Sequence, residues 1–191
     1  DQAQLIRWLR DFDRAVANRA AQAITRLSGN AATAQPTEAP HLPTQPFQDL
    51  RQCVVVNMSP GKPFKMRMLP SAAPIAVEQF LRLATMERYY NGLTIHRVAP
   101  NFVIQGGSPG ANEYMGENFY MRDEVGLHLR GTVGISTRGR DTGDAQIFVN
   151  LIDSPRLDHV YTVFGTVVTG MDVVDGTLEG DVIERVELVN R

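Results

Sequence analysis

Apolar positions follow helical spacing at the start of the chain and strand spacing through most of what comes after. Leu5, Trp8, Leu9 and Phe12 fall at i, i+3, i+4 and i+7, one stripe of a short amphipathic helix. A second stripe runs Val16, Ala20, Ala23, Ile24, Leu27. Asp11 or Asp13 can cap its start, and Gly29 sits where a helix C-terminal glycine belongs. Two short helices joined by a tight turn predict a helical hairpin over residues 1–30. Such a unit cannot bury both of its faces alone. The stretch "AATAQPTEAPHLPTQP" then carries four prolines and no apolar period, so 31–46 reads as a semi-extended linker. The main domain is expected over 47–191.

Within that domain "CVVVNM" is one strand. "FKMRML" alternates apolar and cationic residues, a half-buried strand with Lys65 and Arg67 facing water. "SPGKP" between them is a turn. "SAAPIAVEQFLRLATMERYY" predicts a helix. Ser71 is its candidate cap, Pro74 fits its first turn, and Val77, Phe80, Leu81 and Ala84 form its buried stripe. "LTIHRV", "FVIQGG", "GTVGIS", "QIFVNL", "YTVFGTVV" and "VIERVELV" read as strands, and "GMDVVDGT" as a short helix. Many short strands with few helices argue for a barrel or a sandwich over a doubly wound sheet.

Composition narrows the function classes. The 191 residues are 43% hydrophobic and 21% charged, with a net charge of −2. Mixed signs near neutrality leave no electrostatic footprint for nucleic acid or an anionic membrane. No apolar run approaches the ~20 residues of a membrane helix. A single cysteine, Cys53, allows no intramolecular disulfide and reads as a small buried hydrophobe; the compartment, cytoplasmic or exported, is not readable from it. A first residue other than Met is the expected mark of a processed or excised chain.

Generic chemistry is sparse. His41, His96, His128 and His159 have no metal-ligand spacing, so no metal site is expected. There is no nucleophile elbow and no phosphate loop. The carboxylates read as solvated, "RGRD" at 138–141 as a solvated turn, and His96 as a hydrogen-bonded structural histidine. The stretch that stands out is "IHRVAPNFVIQGG", which is strand-like and apolar but holds Arg97 and Gln105. A buried guanidinium is costly unless paired. One reading is a structural ion pair. The other is that strand alternation turns Arg97 and Gln105 out of the barrel into a groove, while Ile95, Val98 or Ile104 fill the interior and the following glycines let the backbone pass closely beneath.

Three separated stretches, "SPGKPFKMRMLPSAAPIAVEQFLRLA", "YYNGLTIHRVAPNFVIQGGSPG" and "GDAQIFVNLIDSPRLDHVYTVFGTVVTGMDVVD", resemble the cyclophilin family of peptidyl-prolyl cis–trans isomerases, in the family's order. The resemblance runs from about Cys53 to Leu188. It implies a mainly β fold, a closed antiparallel β-barrel capped by two helices, here preceded by the helical hairpin. It implies rotation of Xaa-Pro bonds in peptides and unfolded proteins, assisting folding, with no metal, nucleotide or other cofactor. Residue by residue it makes Arg97 the catalytic arginine and Gln105 its groove partner. Phe102, Val103, Gln146, Phe148, Leu157 and Tyr161 become substrate-binding residues. Ser136 and Thr137 lie on the strand whose backbone meets the peptide. Arg156 stands where many relatives carry Trp, which implies weak cyclosporin binding. Ile147 stands where Phe is usual, Thr137 where Asn is usual, and the loop "SPGANEYMGENF" is shorter than the family's. Those departures keep an alternative open, a proline-peptide binding module with little turnover. "DFDRAVANRAAQAITRLSG" resembles a HEAT-like repeat. It is either that or an ordinary helical extension, and a protein partner through these helices is a third idea.

Overall fold

The computed structural model describes residues 2–11, 14–37, 53–117 and 119–189. Phe12 and Asp13, most of the Pro-rich stretch and the expected start of the main domain at 47 lie outside the described residues. The chain divides between Thr44 and Gln45 into two compact units.

The first unit holds α1 (Gln2–Trp8) and α2 (Arg14–Ser28). Gly29 ends α2 in a left-handed conformation, φ 72°, and its N–H donates to the Thr25 carbonyl at 2.9 Å. The face of α2 that is buried is Ala17, Ala20 and Ala21. Of the expected stripe only Ala20 is fully buried, and Val16 and Leu27 are exposed. Two short helices cover one side of each other, and three small residues at i, i+3 and i+4 make the flattest side for close approach. The chain then returns along the hairpin. The Ala32 N–H donates to Thr25 Oγ1, and the Gln35 N–H donates to the Leu9 carbonyl.

The second unit is an eight-stranded closed antiparallel barrel. Its strands are β1 (Cys53–Ser59), β2 (Phe64–Met68), β3 (Leu93–Ala99), β4 (Val103–Gly106), β5 (Thr132–Ile135), β6 (Ile147–Asn150), β7 (Val163–Thr169) and β8 (Val182–Val189). They close in the order β1-β2-β7-β5-β6-β4-β3-β8. Closure removes every free sheet edge. Alternation behaves as the sequence predicts in β2, where Phe64, Met66 and Met68 are buried and Arg67 is exposed. These side chains join Val54, Val56, Ile104, Val133, Ile135, Val149 and Phe164 in one core. Cys53 is buried in β1.

The helix expected over Ser71–Tyr90 is shorter. α3 spans Pro74–Leu81 and passes into one wide π-type turn, Arg82–Met86. Pro74 does occupy the first turn, but Ser71 is not the cap. No side chain caps from the preceding residue, Ala73. Instead the Glu124 carboxylate, from a distant loop, accepts the N–H groups of Ile75 at 3.1 Å and Ala76 at 2.8 Å. A carboxylate there satisfies two orphan donors and meets the positive end of the helix. Glu124→Ala is expected to cost about 1–2 kcal/mol, read as a lower urea midpoint. α4 (Met171–Gly176) is the second helix against the barrel.

Candidate functional site

The site begins with a register shift. β3 and β4 pair as Ile95↔Gly106 and then Arg97↔Gln105, with His96 the extra residue between them. Strict alternation would place Ile95 and Arg97 on the same face. The bulge at His96 reverses the alternation. Ile95 is therefore buried in the core with Ile104, while Arg97 and Gln105 lie side by side on the outer wall. His96 bears the cost. Both of its ring nitrogens are buried with no hydrogen-bond partner among the described residues, unlike the hydrogen-bonded structural histidine its context suggests. Burial holds its pKa below the ordinary 6.5. Beyond Gln105, Gly107 takes φ 88°, and a Cβ there would lie 2.7 Å from the Ala145 carbonyl oxygen, so the chain needs a glycine to pass under the groove.

A groove of about 320 Å³ opens on this wall. Nine of the ten residues expected to form the site line it: Arg97, Phe102, Val103, Gln105, Ser136, Thr137, Phe148, Leu157 and Tyr161. The tenth, Gln146, lies behind the wall and is 1% exposed. β5 ends at Ile135, so Ser136 and Thr137 follow the strand, and the Ser136 N–H is already committed to the Gln146 carbonyl at 2.8 Å.

A directed relay of side-chain amides orients the arginine. Arg97 Nη1 donates to Gln105 Oε1 at 3.2 Å. Gln105 Nε2 donates to Gln146 Oε1 at 3.1 Å and to Ser136 Oγ at 3.0 Å. Gln146 Nε2 donates to the Met115 carbonyl at 2.8 Å. Each amide therefore presents its oxygen toward Arg97, and the sense of the chain is fixed from its far end. Arg97 Nε also faces Glu113 Oε1 at 3.5 Å, and its guanidinium carbon lies 5.8 Å from the centre of the Phe102 ring. The arginine side chain is 39% exposed, so it is a groove residue and not a buried structural pair.

Sequence reasoning missed Glu113, Tyr114 and Arg138, which also line the groove. "RGRD" is the exposed turn expected, with Arg138, Gly139 and Arg140 all exposed, but Arg138 also reaches a buried partner. Arg138 Nη2 pairs at 2.7 Å with Asp144 Oδ2, whose side chain is 0% exposed, and Arg138 Nη1 donates to the Glu113 carbonyl at 3.0 Å. Asp144 Oδ1 accepts the Gln146 N–H at 3.0 Å. Nearby, Asp141 and Asp123 each accept the other's backbone N–H. The expectation of solvated carboxylates fails at Asp144, because the burial of a turn residue depends on what folds over it. It is the loop after Gly107, folding across the barrel wall, that buries Asp144.

The apolar floor is Phe148, with Tyr161 edge-on at 6.0 Å and His128 stacked behind it at 5.6 Å. Phe148 lies over Gly134, where an added Cβ would meet the ring at 2.5 Å and the Thr162 carbonyl oxygen at 2.8 Å. Gly134→Ala must therefore lift the ring into the groove. The expected loss in kcat/KM for a prolyl peptide is on the order of 10- to 100-fold, with about 1–3 kcal/mol of stability lost to overpacking.

His128 is 1% exposed. Its Nδ1 faces the Asn150 side-chain amide at 3.1 Å and its Nε2 the Tyr161 carbonyl at 3.3 Å. That pattern suits a neutral ring with the proton on Nε2; a second proton would point at an amide N–H. Burial accordingly lowers its pKa from 6.5, against the opposing effects of the Tyr161 carbonyl and Asp158. With the folded pKa depressed, the unfolded chain binds the proton more readily, so His128 costs stability as pH falls below 6.5. The urea midpoint of the wild type is expected to drop more between about pH 7 and pH 5 than that of His128→Gln.

Fold and site define a class: a closed antiparallel barrel whose outer wall carries one oriented guanidinium above an aromatic floor. The comparisons give it a family. Residues 53–189 match the family model described as "Cyclophilin type peptidyl-prolyl cis-trans isomerase/CLD", and the chain belongs to that family. It is 42% identical over 120 residues to a peptidyl-prolyl cis-trans isomerase of Helicobacter pylori, an alignment covering 60% of this chain and 73% of the relative. It is 36% identical over 132 residues to peptidyl-prolyl cis-trans isomerase B of Bacillus subtilis, covering 67% of this chain and 92% of that protein. The crystal structure of a Cryptosporidium parvum cyclophilin type peptidyl-prolyl cis-trans isomerase shares the fold, with a TM-score of 0.67 at 23% identity, covering 74% of this chain and 99% of that one. A second structure of that protein was obtained in the presence of the dipeptide Ala-Pro. The chain is thus a cyclophilin-type peptidyl-prolyl cis–trans isomerase, and assistance to protein folding is the general role of such enzymes.

Proposed function

We propose that the groove of 320 Å³ holds Xaa-Pro segments of peptides and unfolded proteins, and that Arg97 is the catalytic donor. An amide resists rotation by ~18–20 kcal/mol because the nitrogen lone pair is shared with the carbonyl. In the twisted transition state the sharing is lost and the nitrogen becomes a hydrogen-bond acceptor. A donor aimed at that nitrogen binds the transition state in preference to the planar substrate. Arg97 suits the task, being always charged and forked, and Gln105 fixes its direction. Phe102, Phe148, Leu157 and Tyr161 grip the proline ring, with Val103 beside them. Ser136 and Thr137 border the peptide backbone, and Gln146 acts from behind through Gln105.

Magnitudes apportion the work. A gain of ~10⁵ over a step that takes tens to hundreds of seconds needs roughly 7 kcal/mol. One charged hydrogen bond supplies about 1.5–3 kcal/mol. Grip on the twisted conformer in a partly dry groove supplies the rest. The observation that carries the reading is the cross-strand pairing of Arg97 with Gln105 at the mouth of an aromatic-floored groove. Exchange NMR on an Xaa-Pro peptide tests it. Catalysed exchange with shifts in the Gln105 and Gln146 side-chain amide signals supports it. Exchange with those signals unmoved places the chemistry elsewhere.

The first unit is read as a separate module, a hairpin over 1–30 and a linker over 31–46. Whether it is a HEAT-like repeat or a plain extension, its exposed Ile6, Trp8, Val16 and Leu27 support a role in holding a protein partner. Deleting 1–46 without weakening any partner interaction of the full chain would remove that role.

A further inference from the structure

Beside the groove, one cation is held in place by a ring and, among the described residues, paired with no carboxylate. Arg156 lies in the tight turn Pro155–Leu157. That turn is pinned by the Ser154 N–H to the His128 carbonyl at 2.7 Å, and by the Leu157 and Asp158 N–H groups to the Ser154 and Pro155 carbonyls. The next residue, Leu157, lines the groove. The Arg156 guanidinium carbon sits 4.1 Å from the centre of the Phe102 ring, van der Waals contact between a cation and a π face. Phe102 itself lines the groove.

The nearby charges are unevenly matched. Arg97, 5.8 Å from the same ring, shares its charge with Glu113 and is hydrogen-bonded to Gln105. Two acids close in sequence to Arg156 are engaged elsewhere: Asp158 Oδ1 accepts the His128 N–H and Asp153 Oδ1 the Arg130 N–H. Among the described residues no carboxylate lies within ion-pair distance of Arg156. The ring covers one side of the guanidinium carbon, and Arg156 as a whole is exposed. A guanidinium takes a carboxylate through two parallel hydrogen bonds.

Resting on the reading of the groove as the peptide site, we propose that Arg156 is a specificity-determining residue. It forms a subsite for an acidic side chain, so that the enzyme favours proline segments carrying Asp or Glu within two residues of the proline. The reach is adequate: a peptide advances ~3.3–3.6 Å per residue, and Arg156 sits on Phe102 and next to Leu157, both of which line the groove. The stacking lowers the entropy lost on pairing, because the long side chain is already ordered. Solvent access keeps the pair modest. A gain of roughly two- to fivefold in kcat/KM is expected, weakening as salt rises.

The test uses the full chain and four peptide sets. Each set places Glu, Gln or Lys at one of the two positions before or after the proline, and kcat/KM is read by exchange NMR at low and high salt. At one position or more the wild type is expected to rank Glu above Gln above Lys, with the spread narrowing in salt. Arg156→Gln should erase the ranking, Arg156→Glu should invert it, and Arg156→Lys should keep part of it. Equal turnover of Glu and Gln peptides at all four positions overturns the proposal. So does a Glu preference that survives in Arg156→Gln. Failure of the wild type to accelerate even the Gln peptides would sink the groove reading itself, and the subsite with it; the Gln rate therefore separates the two failures.

Discussion

Arg97→Ala is expected to lower kcat/KM for Xaa-Pro rotation by roughly 10- to 150-fold, the equivalent of one charged hydrogen bond of about 1.5–3 kcal/mol. The loss should fall mainly on kcat, because the amide nitrogen accepts a hydrogen bond only once it is twisted. Arg97→Lys keeps the charge but not the fork that reaches Gln105 Oε1 at 3.2 Å and faces Glu113 at 3.5 Å; it should recover only part of the rate. Exchange NMR with one peptide at saturating and sub-saturating concentrations separates the two parameters. If Arg97→Ala matches the wild type, the arginine is not the donor. If KM rises while kcat holds, Arg97 binds the ground state and the transition-state account is wrong.

The second large effect is on stability. Asp144→Ala is expected to cost about 2–4 kcal/mol, toward the range for breaking a buried pair but reduced because the Arg138 side chain keeps 29% exposure. Three groups lose a partner at once. Arg138 loses its carboxylate, the Gln146 N–H loses its acceptor, and the Glu113 carbonyl loses its anchor when Arg138 is released. Urea unfolding followed by circular dichroism reads the loss. A double-mutant cycle with Arg138→Ala should show coupling of about 1–3 kcal/mol. Additive effects would mean that the two side chains do not act as a pair. Because Glu113 and Met115 are on the same loop, Asp144→Ala should also lower kcat/KM, by less than Arg97→Ala, through a loosened relay.

These two predictions rest on different kinds of information. Arg97 stands out in the sequence because a cation in an apolar strand needs a reason, and the resemblance to the cyclophilin family supplies its companions Phe102, Gln105, Phe148 and Leu157. Asp144 did not stand out. It sits six residues from Arg138 in a stretch of Gly, Thr and Asp, and nothing in that spacing says that a loop will cover it. Glu113 was hidden for the same reason, since its approach to Arg97 depends on where the loop comes to rest. Glu124 replaced Ser71 at the start of α3 across 49 residues of chain, a distance over which local capping rules have no reach.

The sequence by itself determined the strand and helix inventory, the order of the motifs and most of the groove's lining. The inventory is written in short-range periodicity: Phe64, Met66 and Met68 turn inward because side chains alternate along a strand; the motif order and the lining residues are legible through the resemblance to the cyclophilin family. Only the tertiary structure decided the bulge at His96. Alternation alone would have put Arg97 on the same face as Ile95, inside the core. One extra residue in β3, fixed by its pairing with β4, turns the guanidinium outward to meet Gln105, and pairing register is a property of two strands together that neither carries alone.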